Sequence, residues 1–274
     1  MKDQLIDTYG RVHRDLRISV TDRCNFRCQY CMPEEGMDWT PREELLTFEE
    51  IERLASLLVN KFGIESIRLT GGEPTVRANL SKLIEKLAKL DVDLSLTTNG
   101  ATLPLIAGDL YNAGLDRINI SLDTLDRKRF ESLTRRDNLK QVLHGIETAK
   151  SVGFDPVKIN MVVMKGVNDD EVLDFVSYGR ENGLVVRFIE FMPLDADETW
   201  EKSKVMPQNE ILDLISSKYE LEPLTRGSSP AARWKFVDGP GEIGIIATVS
   251  EAFCDACDRI LLTADGKFRN CLFA

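Results

Sequence analysis

The run Asp15-Leu16-Arg17-Ile18-Ser19-Val20-Thr21-Asp22-Arg23-Cys24-Asn25-Phe26-Arg27-Cys28-Gln29-Tyr30-Cys31 carries an extended segment straight into a loop of three thiols. Residues 16–20 are apolar and β-branched enough to read as a strand. The cysteines that follow are spaced Cys-x3-Cys-x2-Cys. On one short loop, three thiolates converge on three corners of an iron–sulfur cube. The fourth iron then stays open to a chelating small molecule. Zinc accepts the same soft donors, but a structural zinc site closes with four ligands, so a zinc loop here needs a fourth from elsewhere. Phe26, inside the loop, suits the exclusion of water from a cluster.

Working outward, further strands read over 66–69, 92–96, 117–122, 157–164 and 185–191. Amphipathic helices alternate with them over 42–61, 80–90, 103–113, 139–152 and 171–182. The strands read as buried apolar runs rather than alternating ones, which predicts an α/β fold with a parallel sheet and helices outside. Periodicity leaves two architectures open, a doubly wound sheet and a partial barrel. Both gather chemistry at the C-terminal ends of their strands, where polar motifs recur in this chain. The pattern weakens after Met192. An acidic loop with Trp200 leads to a helix over 209–217 and a loop at Arg226-Gly227-Ser228-Ser229-Pro230. Strands follow over 244–249 and 259–262, then a hairpin turn at Asp265-Gly266.

The 274 residues suffice for a full core. A net charge of −10, from 35 Lys and Arg against 45 Asp and Glu, lacks the basic footprint of a nucleic-acid binder. No apolar run reaches the ~18 residues of a membrane helix, and no apolar secretion segment follows Met1. The expected partners therefore include neither nucleic acid nor membrane. Two histidines, His13 and His144, supply little for imidazole chemistry. The six cysteines fall in two triplets at opposite ends of a large chain, which favours metal or cluster binding over a disulfide scaffold.

The second triplet is Cys254-Asp255-Ala256-Cys257 and, thirteen residues on, Cys271. It straddles the expected hairpin. Three readings stay open: a zinc site with a non-cysteine ligand, a structural cluster, and a cluster whose free iron takes a nitrogen-bearing ring. Gly71-Gly72-Glu73-Pro74, after the second strand, permits close backbone approach, although a simple turn has the same composition.

Cys-x3-Cys-x2-Cys with Tyr30 before the last cysteine, together with Gly-Gly-Glu-Pro, resembles the radical S-adenosylmethionine superfamily. Several segments narrow the likeness: Arg68-Leu69-Thr70-Gly71-Gly72-Glu73-Pro74, Leu96-Thr97-Thr98-Asn99-Gly100, Ser121-Leu122-Asp123, Val157-Lys158-Ile159-Asn160, Asn168-Asp169, residues 186–193 and Leu262-Thr263-Ala264-Asp265-Gly266. With both cysteine triplets, they resemble the GTP 3′,8-cyclase family of molybdenum cofactor biosynthesis from about Tyr9 to Phe273. That resemblance implies an incomplete (β/α)6 TIM-type barrel closed by a C-terminal cluster-binding region. Its expected division is residues 1–200 for the partial barrel and 201–274 for the rest.

The resemblance also implies two [4Fe-4S] clusters, on Cys24, Cys28 and Cys31 and on Cys254, Cys257 and Cys271. It places Tyr30, Gly72, Glu73, Ser121 and Met192 around S-adenosylmethionine, with Glu73 accepting from the methionine ammonium. It places Arg17, Arg68, Thr97, Lys158 and Arg259 on GTP, the cations being expected at strand ends. Asp123 and Asn99 are expected to shape the pocket. A deoxyadenosyl radical takes hydrogen from ribose C3′, and the carbon radical attacks guanine C8. The product is 3′,8-cyclo-7,8-dihydro-GTP, and no catalytic amino acid is assigned.

An electron donor, a homodimer, a downstream pterin-forming enzyme and a reducing cytoplasmic setting follow by the same resemblance. Two departures stand out. Leu261 occupies a position where the family carries arginine, with Arg233 and Arg269 as candidate compensators. The sequence stops at Cys271-Leu272-Phe273-Ala274, where the family continues to a Gly-Gly tail. Both predict impaired cyclase turnover. They also keep two other readings open, a two-cluster radical enzyme with another substrate and a non-catalytic cluster or zinc module.

Overall fold

The strands are built from a polar–apolar alternation. β1 (Asp15–Ser19), β2 (Ser66–Thr70), β3 (Asp93–Thr98), β4 (Arg117–Ser121), β5 (Lys158–Val163) and β6 (Val185–Glu190) are parallel neighbours in chain order. The computed structural model describes residues 3–33, 35–194, 200–227 and 229–273. Leu16 and Ile18, Ile67 and Leu69, Ile118 and Ile120, Ile159 and Met161 are fully buried on one face. The residues between them, among them Arg17, Arg68, Asn119 and Lys158, are polar and share the opposite face. The buried runs expected from the sequence therefore resolve into period-2 strands, because the inner face of this sheet is not a packed apolar core.

The outer face is covered by α1 (Phe48–Phe62), α2 (Leu80–Ala88), α3 (Leu103–Asn112), α4 (Arg127–Thr134), α5 (Leu139–Val152) and α6 (Val172–Asn182). The single helix expected over 42–61 is divided: a 3-10 turn occupies Arg42–Glu44, and α1 starts afresh after Thr47. Thr47 Oγ1 accepts from Glu50 N (3.2 Å) while Glu50 Oε2 accepts from Thr47 N (2.8 Å), a capping box that fixes the start. Gly63, left-handed at φ 74°, ends the helix. α4 was not expected; Asp126 Oδ1 caps it by accepting from Arg129 N (2.7 Å). Among the described residues, no helix is long and apolar enough to cross a membrane.

Strand order separates the two architectures left open by periodicity. A doubly wound sheet reverses its strand order at a switch point. Here β1 to β6 follow one another without reversal, so the sheet winds one way, as a barrel wall does. After α7 (Gln208–Ser216), β7 (Leu221–Leu224) and β8 (Ala232–Phe236) form antiparallel strands that were not expected. Pro223 is tolerated because β7 is an edge strand. β9 (Glu242–Ile246) then pairs parallel to β6, and β10 (Arg259–Leu262) pairs parallel to β1 at the other end. β11 (Phe268–Arg269) completes the expected hairpin. The chain between β9 and β10 must cross the open side of this incomplete barrel, and that crossing carries Cys254 and Cys257. Most of the expected acidic loop before Trp200, residues 195–199, and Ser228 lie outside the described residues.

Asn168 knits the C-terminal ends of β4 and β5. Fully buried, its Nδ2 donates to Asp123 O and Val162 O (both 2.8 Å), and its Oδ1 accepts from Met164 N (2.7 Å). Asn168→Ala leaves buried backbone groups unpartnered and is expected to cost on the order of 3 kcal/mol. Urea denaturation measures this, and a loss below about 1 kcal/mol contradicts it.

Candidate active site

The first cysteine loop leaves β1 and is pinned from below by the turn after β2. Gly72 N donates to Thr21 O (2.7 Å) and Glu73 N to Arg23 O (2.8 Å). A Cβ on Gly72 would lie 2.3 Å from Asp22 O and 2.4 Å from Arg23 O, so only glycine admits this approach. Arg27 Nη1 donates to Cys24 O (2.7 Å) and Phe26 O (2.8 Å), which closes the loop on itself. Phe26 is buried edge-on against Phe130. Cys24 and Cys28 are half-buried and Cys31 is exposed. Burial pushes all three thiols above their ordinary pKa. A bound cation offsets that penalty on the thiolates.

Tyr30, Cys28, Asn99, Ser121 and Asp123 surround a small cavity beside this loop. Tyr30 Oη donates to Asp123 Oδ2 (2.5 Å), and Asp123 Oδ1 accepts from Val162 N (2.8 Å). Burial still raises the Asp123 carboxyl to about 6. Glu73, the expected ammonium acceptor, lies in the turn after β2. It is 1% exposed, and its Oε1 accepts from Thr75 Oγ1 (2.5 Å) and Thr98 Oγ1 (2.6 Å) while Oε2 accepts from Asn99 N (2.6 Å). Glu73 thus ties β2 to β3 and positions the loop, while Oε2, with a single hydrogen bond, keeps further acceptor capacity. Met192 lines a second, larger cavity inside the barrel rather than the one around Tyr30 and Ser121.

That larger cavity brings together Arg17, Arg68, Thr97, Arg259, Leu261 and the second triplet, Cys254, Cys257 and Cys271. Arg17 and Arg68 do not sit at strand ends as expected. They are mid-strand partners across β1 and β2, while Lys158 and Arg259 open β5 and β10. The first triplet therefore lies at the C-terminal mouth of the barrel. Cys257, just before β10, lies at the opposite mouth, with the cations between.

These cations are close to one another and lack counter-ions. Among the described residues Arg17, Arg68, Lys158 and Arg187 form no ion pair. Arg17 Nε and Arg68 Nε are buried without a hydrogen-bond partner, as is Asn160 Oδ1. Burial, then repulsion from Arg259 and Arg68, lowers Arg17 to about 9. Burial, then Arg187, Arg117 and Arg68, lowers Lys158 to about 7. Arg187 falls to about 10 for the same reasons. Arg187 and Asn160, adjacent in register, escaped the sequence reading. The alternation Val186-Arg187-Phe188-Ile189 was the signal that places Arg187 inward.

Leu261 does face this cavity, in register with Arg17. Of the candidate compensators, Arg233 is committed to Glu242 (Nε–Oε1 3.0 Å), and Arg269 is exposed on β11.

Among the described residues, no three thiol, imidazole or carboxylate groups are gathered into a ready metal cage. The donor chemistry nonetheless fits iron–sulfur ligation, with three thiols in each triplet and N–H groups aimed at sulfur. Phe26 N lies 3.4 Å from Cys24 Sγ, Arg259 Nε 3.3 Å from Cys257 Sγ, and Phe273 N 3.5 Å from Cys271 Sγ.

Comparison with known proteins agrees with this geometry. Residues 18–179 match the Radical SAM superfamily, and residues 184–274 match Molybdenum Cofactor Synthesis C. Among solved structures, Streptococcus suis SuiB bound to precursor peptide SuiA has a TM-score of 0.67 at 16% identity, over 96% of this chain and 61% of that one. Methylornithine synthase has a TM-score of 0.59 at 18% identity, over 76% and 64%. The fold and the first cysteine loop make this chain a radical S-adenosylmethionine protein, and such proteins use S-adenosylmethionine with an iron–sulfur cluster. A GTP 3′,8-cyclase of Streptomyces coelicolor is 50% identical over 98% of this chain and 81% of its own length. Those of Corynebacterium glutamicum and Rhodopirellula baltica are 48% and 47% identical. The chain belongs to the GTP 3′,8-cyclase family.

Two outcomes follow from the geometry. Gly72→Ala forces the cysteine loop off β2, so iron bound at Cys24, Cys28 and Cys31 is expected to fall severalfold at unchanged far-UV circular dichroism; full iron retention contradicts it. Lys158 binds its proton less tightly folded, at about 7, than its ordinary 10.5. The unfolded chain then holds more protons between those values, so this group's penalty on folding is full below pH 7 and fades as pH rises towards 10.5. Inorganic triphosphate favours the protonated form. Calorimetry at pH 8 in buffers of different ionisation enthalpy should show proton uptake in this chain and less in Lys158→Met. Equal uptake in both contradicts the assignment.

Proposed function

We propose that this chain converts GTP to 3′,8-cyclo-7,8-dihydro-GTP, the opening reaction of molybdopterin synthesis, as a lyase carrying two [4Fe-4S] clusters. The observation that carries the reading is the set of half-buried, unneutralised cations between two cysteine triplets, with Arg17 Nε and Arg68 Nε buried and unpartnered. A buried charge without a partner is costly, and a polyphosphate supplies the missing one.

Arg17, Arg68, Lys158 and Arg259 bind the triphosphate, and Thr97 adds a hydroxyl from β3. Arginine forks match phosphate oxygens in pairs, which fixes orientation as well as charge. Tyr30, Gly72, Glu73 and Ser121 hold S-adenosylmethionine beside the first cysteine loop, and Met192 contacts it from the wall of the larger cavity. When bound, the reduced N-terminal cluster and S-adenosylmethionine supply a one-electron reagent that takes hydrogen from the ribose, at the cost of an electron from an outside donor. The residues around it position the nucleotide, exclude water and neutralise its charge. Ile189, Ile246 and Leu261 form the dry part of the cavity wall. Cys254, Cys257 and Cys271 hold the second cluster at the far mouth, facing the base.

The test is an anaerobic assay of the reconstituted chain with S-adenosylmethionine, GTP and dithionite, following 5′-deoxyadenosine and the cyclised nucleotide by mass. Both products are expected to rise together. Deoxyadenosine without any cyclised nucleotide contradicts the assignment. Arg68→Met removes a charge-assisted phosphate contact worth about 1.5–3 kcal/mol, so kcat/KM for GTP should fall by roughly 10- to 100-fold. Leu261→Arg adds a guanidinium beside Arg17 and should lower KM for GTP; a raised KM would show that the apolar side chain packs against the substrate.

A further inference from the structure

The second cysteine triplet flanks the β10–β11 hairpin, Cys254–Cys257 before β10 and Cys271 after β11. The strand pairing ends at Leu261 and Arg269, so the cysteine segments beyond it need a further contact to fix them. Arg11 lies between them, with its side chain 14% exposed. Its Nη1 donates to Cys254 O (3.3 Å) and its Nη2 approaches Asn270 O (3.5 Å). The same guanidinium is gripped by Asp7: Nε to Oδ2 at 2.8 Å and Nη2 to Oδ2 at 2.6 Å. Asp7 is fixed in turn, since its Oδ1 accepts from Tyr9 N (2.9 Å) and Arg11 N (3.0 Å). Gly10, at φ 78°, lets the chain turn tightly enough for this, and Ile6 bridges back to Val12. The N-terminal turn is thus a preformed clamp whose outer face meets the cysteine segments.

We propose that Arg11, oriented by Asp7, is the positioning residue that gathers Cys254, Cys257 and Cys271 for cluster binding. The inference rests on the reading that this triplet holds a cluster. Only a planar fork with several N–H donors reaches Asp7 and both backbone carbonyls at once. A lysine keeps the charge but makes a single-point contact. The positive charge beside three thiolates also favours the reduced form of a bound cluster, since net charge and hydrogen bonding set such potentials.

The experiment reconstitutes the full chain anaerobically with iron and sulfide. It then maps, by alkylation and mass spectrometry, which cysteines are protected. The first triplet is the internal control. In the unsubstituted chain all six cysteines should be protected. In Arg11→Gln, Cys24, Cys28 and Cys31 should stay protected while Cys254, Cys257 and Cys271 become reactive, and bound iron should drop by about half. Arg11→Lys should recover little of this loss. Asp7→Asn, which leaves the Arg11 charge in place but loosens its orientation, should give a partial loss of protection at Cys254, Cys257 and Cys271 with the first triplet unchanged. Full protection of all six cysteines in Arg11→Gln overturns the proposal. Complete rescue by Arg11→Lys overturns it too, because charge alone would then suffice. An unsubstituted chain that never protects Cys254, Cys257 and Cys271 overturns the cluster reading beneath it.

Discussion

Like charges held together in a low-dielectric interior repel, and the rest of this structure is arranged around that constraint. Arg17, Arg68, Lys158 and Arg187 lie on the inner wall of one sheet, and no carboxylate among the described residues pairs with them. Asp15 and Glu242 are close enough to moderate their field but not to neutralise it. A fold with no use for such a cluster would replace it by apolar residues at little cost or at a gain in stability. Such a cluster inside the barrel of an acidic protein suits an anionic ligand.

The barrel sustains the strain because stability is supplied elsewhere. The outer faces of the strands pack on the helices through continuous aliphatic layers, from Leu16 and Ile18 round to Ile243 and Ile245. The inner face is thereby released from packing duties. Buried side chains lock the ends of the strands. Glu73 joins β2 to β3, and Asn168 joins β4 to β5. Glu190, fully buried at the end of β6, accepts from Gln208 N (2.9 Å), Val249 N and Ser250 N (both 2.8 Å). Glu190 thereby anchors the crossing segment that carries Cys254 and Cys257 across the open side. The N-terminal turn and this anchor act on the same segment from its two ends.

Much of this was legible in the sequence. The order of strands and helices followed from hydrophobic patterning, and the cysteine spacings with Gly71-Gly72 marked the site. Two kinds of information were not. The inward direction of Arg17, Arg68 and Arg187 depends on strand pleating, and a reading of the strands as buried runs concealed it; the alternation was present in Leu16-Arg17-Ile18-Ser19. The role of Glu73 depends on Thr98 and Asn99, which lie far along the chain and come near only through β-sheet register. Arg11 and Asp7 gave no motif at all, because their partners are backbone carbonyls beside Cys254 and Cys271. The short strands at 221–224 and 232–236 were missed because edge strands with few apolar residues resemble loops.

Inner cations of this kind should select a polyphosphate. The direct measurement is equilibrium binding of GTP, GDP, GMP and guanosine to the same anaerobic preparation, repeated at low and high salt. Affinity should fall with each phosphate removed, and the difference between GTP and guanosine should shrink as salt rises. Guanosine binding as tightly as GTP, with no dependence on salt, would contradict the account.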